Sequence, residues 1–83
     1  MNAKIKYLDQ LVNHLLSQGS PESMEQALCD LLTTGELADV AKRLQIIEML
    51  LQGVPQRQIA DKLGVGIATV TRGSHHLKRN RDE

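Results

Sequence analysis

Apolar residues recur at three- and four-residue intervals along almost the whole chain, and no stretch alternates strictly as a half-buried strand does. The pattern predicts an all-α protein. A first helix is expected over residues 3–17, where Ile5, Leu8, Leu11, Val12, Leu15 and Leu16 form one stripe, with Gly19 closing it in the left-handed conformation. Ser20-Pro21-Glu22 has the order of an N-cap, a first helical proline and a dipole-complementing acid, so a second helix starts there. Its buried face is expected to be Met24, Ala27, Leu28, Leu31 and Leu32. Thr33 and Glu36 stand at capping-box spacing, with Thr34 as the other candidate cap. The third helix then carries Leu37, Val40, Ala41, Leu44, Ile47, Leu50 and Leu51 up to Gly53.

After Gly53 the pattern changes. A short helix from about Pro55 to Leu63 breaks at Gly64, and another starts near Gly66 or Ile67. This is a helix, a tight turn and a helix. Ile59, Leu63 and Val70 are spaced to hold the two helices at a steep angle, Ala60 is small where they cross, and Val65 can plug the turn. Gly64 falls where positive φ is needed. Gln56, Arg57, Thr69, Thr71 and Arg72 take the outward positions. A second helix that begins Gly66-Ile67-Ala68-Thr69 is slim enough to enter a major groove and present its tip to base edges. A plain helical hairpin is the alternative. Gly73 stands where such motifs usually carry an apolar contact.

Eighty-three residues make a single domain, with core helices over 1–53, a helix-turn-helix over 54–78 and a basic/polar tail over 79–83. With one Tyr and neither Phe nor Trp, the core must be aliphatic. Such a thin core, without disulfides, points to a homodimer. The apolar stripes are also wider than one short chain hides. Cys29, the one cysteine, reads as a small buried hydrophobe. Net charge is zero, yet residues 1–53 sum to −3 and residues 54–83 to +3, which hints at a polyanion facing the second half. The polar N-terminus and the lack of a long apolar run make the cytoplasm the expected compartment, with no membrane partner. No catalytic set, metal spacing or phosphate-binding glycine loop is found, so the expectation is no enzyme, no metal and no cofactor. A pure interaction module would leave the Thr/Arg face of the last helix unexplained.

The run Leu63-Gly64-Val65-Gly66-Ile67-Ala68-Thr69-Val70-Thr71-Arg72-Gly73-Ser74 strongly resembles the tryptophan repressor family. The stretch from Leu32-Thr33 to Arg43, with Ile46-Ile47-Glu48 and Leu50-Leu51-Gln52-Gly53, is similar to that family's central helix, and the resemblance covers about residues 28–78. It implies an intertwined helical homodimer with two reading heads, a double-stranded DNA operator, and L-tryptophan as a small-molecule corepressor that sets the head angle. The family's namesake is itself a standard instance of this docking geometry and of water-mediated readout, so those features rest on the resemblance.

The resemblance assigns the ligand to Arg43, Arg72, Thr33, Gly73, His76 and Leu31, with the two guanidinium groups flanking an indole. It assigns DNA contacts to Gln56, Arg57, Ile67, Ala68, Thr69, Thr71, Arg72 and Lys78, the Ile67-Ala68-Thr69 edge carrying sequence preference. There are departures. His76 replaces a serine of the family's pocket; it is bulkier, though it can still donate a hydrogen bond to a carboxylate. Ala60 replaces a basic residue, the loop Gly53-Val54-Pro55-Gln56 is one residue shorter, and the chain ends where the namesake has a further helix. These leave a second reading open, a DNA-binding regulator with a different effector or none.

Overall fold

The computed structural model describes the backbone of residues 5–81 and side chains as far as Lys78. Every regular element among the described residues is helical: α1 (Leu8–Leu16), α2 (Pro21–Leu31), α3 (Thr34–Leu51), α4 (Gln56–Leu63) and α5 (Ile67–Arg81). The chain divides into two compact units, with the boundary between Leu37 and Ala38 inside α3.

In the first unit, α1 starts later than the periodicity predicts. Tyr7 stands before it at φ 67, a left-handed conformation that stops the helix from extending backwards. The expected start at residue 3 falls outside the described residues. The far end also differs from expectation, because Gly19 is not in the left-handed region. The helix stops at Leu16, where the Ser17 hydroxyl and the Gln18 amide both donate to the His14 carbonyl, at 2.7 and 2.8 Å. Two side chains thus occupy an acceptor that a glycine turn would otherwise serve.

The start of α2 follows the sequence signal. Ser20 is extended, its hydroxyl accepts from the Ser23 N–H at 3.1 Å, and Pro21 opens the helix. The Ser23 hydroxyl in turn donates to the Gln18 side chain, tying the turn to the helix start. Thr33 is the cap of α3, in preference to Thr34. Its hydroxyl accepts from the Glu36 N–H at 3.1 Å, and the Glu36 carboxylate accepts from the Thr33 N–H at 2.9 Å.

The buried face of α2 is narrower than expected. Ala27 alone is fully buried, Met24, Leu28 and Leu32 are half-buried, and Leu31 is exposed. Cys29 is exposed rather than buried. It sits one residue past Leu28, about 100° round the helix from it and off the stripe.

The core of the second unit is Ile46, Ile59, Ala60 and Val70, with Met49, Leu50, Val54, Leu63 and Val65 packed round it. Both of its glycine turns have mechanical roles. Gly53 (φ 83) ends α3: its N–H donates to Leu50 O, and the Val54 N–H donates to Met49 O, both at 3.0 Å. This is the paired closure that satisfies the last carbonyls and folds Val54 back on the core. Gly64 (φ 67) ends α4 as anticipated, and the Val65 N–H donates to Ala60 O at 3.1 Å. Val65 is thereby driven into the cluster.

In α3 the structure corrects the face. Val40, Leu44 and Leu51, expected in the buried stripe, are about half exposed. The residue that α3 commits to the core is Ile46, 2% exposed, with Met49 and Leu50 beside it. At about 100° per residue this face lies about 140° round from the Val40–Leu44–Ile47–Leu51 seam. The helix has two apolar faces, and this unit covers only one.

Candidate functional site

α4 and α5 meet through Ile59 and Val70, both fully buried, with Ala60 8% exposed at the crossing. Ala60 thus lies inside the helix contact, where its small side chain lets the helices close. At about 100° per residue, Ala68 and Arg72 fall opposite Val70 on α5, while Ile67, Thr71 and Lys78 lie on one flank, about 60–100° from it. Ile67, Ala68, Arg72 and Lys78 are exposed, as is Arg57 on α4. Ile67, the first residue of α5, is 49% exposed and is followed by the exposed Ala68.

Three candidate DNA contacts are less outward than anticipated. Gln56, Thr69 and Thr71 are half-buried. Thr71 Oγ1 lies 2.8 Å from Gln56 Oε1 and 2.9 Å from the Ile67 carbonyl oxygen. Sequence reasoning missed this link, since nothing local in either segment signals a bond across 15 residues. Thr69 falls about 160° from Thr71, on the flank of Gly73.

That second flank holds the α5 residues assigned to the ligand. Arg72, Gly73 and His76 occupy one contiguous arc beside Thr69. Gly73 faces α3: a Cβ built on it would lie 3.1 Å from Ile46 Cγ2. The chain's own packing therefore explains the glycine where an apolar residue was expected. Arg43 is exposed and stands one turn before Ile46 on α3, so it borders the same α3–α5 junction. Leu31 is exposed at the end of α2, in the first unit. Thr33 is exposed at the start of α3, and its carbonyl accepts from the Leu37 N–H at 2.9 Å.

A groove of about 340 Å³ lies elsewhere, between α3 and α4, lined by Gln45, Glu48, Met49, Gln52, Val54, Gln58, Lys62 and Leu63. It shares no residue with the ligand assignment and opens on the other flank of α3 from Arg43. Among the described residues no group of three or more His, Cys, Asp or Glu could hold a metal ion. No helix among them is long and apolar enough to cross a membrane. α5 is helical as far as Arg81, but side chains of the expected basic tail from Arg79 on, and residues 82–83, lie outside the described residues.

The family model described as Trp repressor protein matches residues 6–83. The chain belongs to the Trp repressor family. It is 38% identical to a Trp operon repressor homolog of Aliivibrio fischeri over 100% of this chain and 80% of that one. A homolog from Vibrio campbellii is 40% identical over 99% of this chain and 85% of its own length. One from Vibrio cholerae reaches 50% identity over 75% of this chain and 62% of its own. No solved structure matches the chain at a significant level. Members of the Trp repressor family are regulators and not enzymes.

Proposed function

We propose that this protein is a transcriptional repressor that binds operator DNA as a homodimer through α4 and α5, with L-tryptophan setting the angle of the reading head. The observation that carries the proposal is the α4–Gly64–α5 unit. A buried Ile59–Val70 contact holds the short α4 against the longer α5, whose first two turns offer Ile67, Ala68 and Arg72 to solvent. Its relatives bear the name Trp operon repressor homolog, which supports the same reading.

The homodimer is supported by the uncovered face of α3. Leu37, Val40, Leu44, Ile47 and Leu51 follow alternating three- and four-residue steps, the spacing of a helix-packing seam. Val40, Leu44 and Leu51 expose 48%, 53% and 55% of their surface, and Ile5, Leu11 and Leu16 in the first unit are exposed as well. A second copy would remove these surfaces from water, at about 25 cal/mol per Å² of apolar area.

Tryptophan as the effector is supported by the Arg72–Gly73–His76 flank and by Arg43, one turn before the Ile46 that Gly73 faces. His76 favours a second reading. Its imidazole is larger than the serine it replaces, which favours a different effector or none. Calorimetry with L-tryptophan, followed by DNA binding on the same sample, tests the proposal. Heat of binding and tightened duplex affinity are expected. Duplex binding without any tryptophan response selects the reading with a different effector or none, and no duplex binding at low salt removes the repressor reading.

A further inference from the structure

The Gln56–Thr71 contact has a proton arithmetic that bears on how the head meets DNA. A threonine hydroxyl has one proton to donate. Thr71 Oγ1 has two acceptors in reach, Gln56 Oε1 at 2.8 Å and Ile67 O at 2.9 Å. If the proton goes to Gln56 Oε1, the carboxamide is held by its oxygen, and its NH2 end is left for another acceptor. If the proton goes to Ile67 O, the amide must turn over and donate to Oγ1, which leaves its oxygen outermost. The two arrangements present opposite polarity from one half-buried side chain at the first position of α4. A phosphate oxygen only accepts, so it selects the first arrangement.

We propose that Thr71 is a positioning residue: its hydroxyl holds the Gln56 carboxamide so that the NH2 group is the end offered to a backbone phosphate of duplex DNA. This rests on the DNA-binding reading above. Thr71 then acts through Gln56 and reads no base. Being half-buried on both partners, the bond is shielded from the water that would scramble the amide, whereas the neighbouring Arg57 is exposed.

The test uses the full chain with Thr71→Val, Thr71→Ser, Gln56→Ala and the double variant Thr71→Val/Gln56→Ala, on a panel of operator-like duplexes. Thr71→Val keeps the shape and removes the proton, and should weaken every duplex by the same factor, roughly three- to tenfold for one hydrogen bond. Thr71→Ser should bind as wild type. The double variant should bind no more weakly than Gln56→Ala. On duplexes carrying one neutral methylphosphonate at a time, a single position should erase the difference between wild type and Thr71→Val, which a merely structural bond would not do. A changed preference among duplexes, losses that multiply in the double variant, or a penalty that survives at every methylphosphonate position overturns the proposal. Should wild type bind no duplex, the DNA-binding reading fails by itself. The same four proteins unfolded in urea then judge the bond alone, with additive losses counting against it.

Discussion

Gly73 of α5 faces Ile46 of α3 so closely that a Cβ at residue 73 would stand 3.1 Å from the Ile46 γ2 methyl. Two effects oppose each other there. Alanine in a helix interior is favoured over glycine by about 1 kcal/mol, while overpacking a tight contact costs about 1–3 kcal/mol. Gly73→Ala is therefore expected to lower stability by about 1 kcal/mol in net terms. Ile46→Leu removes the β-branch that Cβ would meet. In that background Gly73→Ala should become neutral or stabilising, and a urea double-mutant cycle reads the difference. Equal effects in both backgrounds would show that the contact does not limit residue 73.

The cap at Thr33 is reciprocal, with both bonds near 3 Å. Thr33→Ala should cost about 1 kcal/mol of stability, Thr33→Ser little, and Glu36→Ala part of the loss. Thermal melts of the three variants check the order. An unchanged midpoint for Thr33→Ala would mean that the start of α3 is held by something else.

Leu44 is 53% exposed in the middle of the α3 seam. If a second copy covers it, Leu44→Glu places a charge in an apolar interface and should shift the protein to monomer in sedimentation equilibrium. The wild-type melting temperature should also rise with protein concentration, as for any dimer whose folding and association are linked. A concentration-independent midpoint and an unaltered sedimentation profile for Leu44→Glu would argue against the seam.

Thr69 and Arg57 should separate readout from attachment. Arg57 is an exposed cation on α4, so Arg57→Ala should weaken all duplexes alike and flatten the salt dependence. Thr69 is half-buried near the tip of α5, and Thr69→Ala should change the ranking of half-sites. A uniform loss across the panel for Thr69→Ala would assign it to packing against the Gly73 flank.

His76 and Arg43 make opposite predictions for tryptophan. Arg43→Ala should abolish the calorimetric signal, since it removes a stacking and carboxylate-pairing guanidinium. His76→Ser should strengthen it by making room. Tryptophan binding that is indifferent to both changes would place the ligand elsewhere on the chain.

Apart from Gly19, which does not close α1, the helix caps and turns expected from the sequence were readable because each is written within a few consecutive residues. Ser20-Pro21, Thr33 with Glu36, and Gly64 ahead of Val65 needed no distant partner to be recognised, and they appear where their chemistry places them. The head's core was legible for the same reason, since Ile59, Ala60 and Val70 are spaced for each other across one short turn. Through-space choices were not. Periodicity marked α3 as apolar but could not divide Ile46, which α5 covers, from Val40, Leu44 and Leu51, which nothing in the chain's second unit covers. Nor could it show Tyr7 halting α1, Cys29 turned outward, or the Thr71 hydroxyl reaching Gln56. A stripe along a helix states that some surface must leave water; only the approach of another element, with its own volume and its own donors, decides which part does.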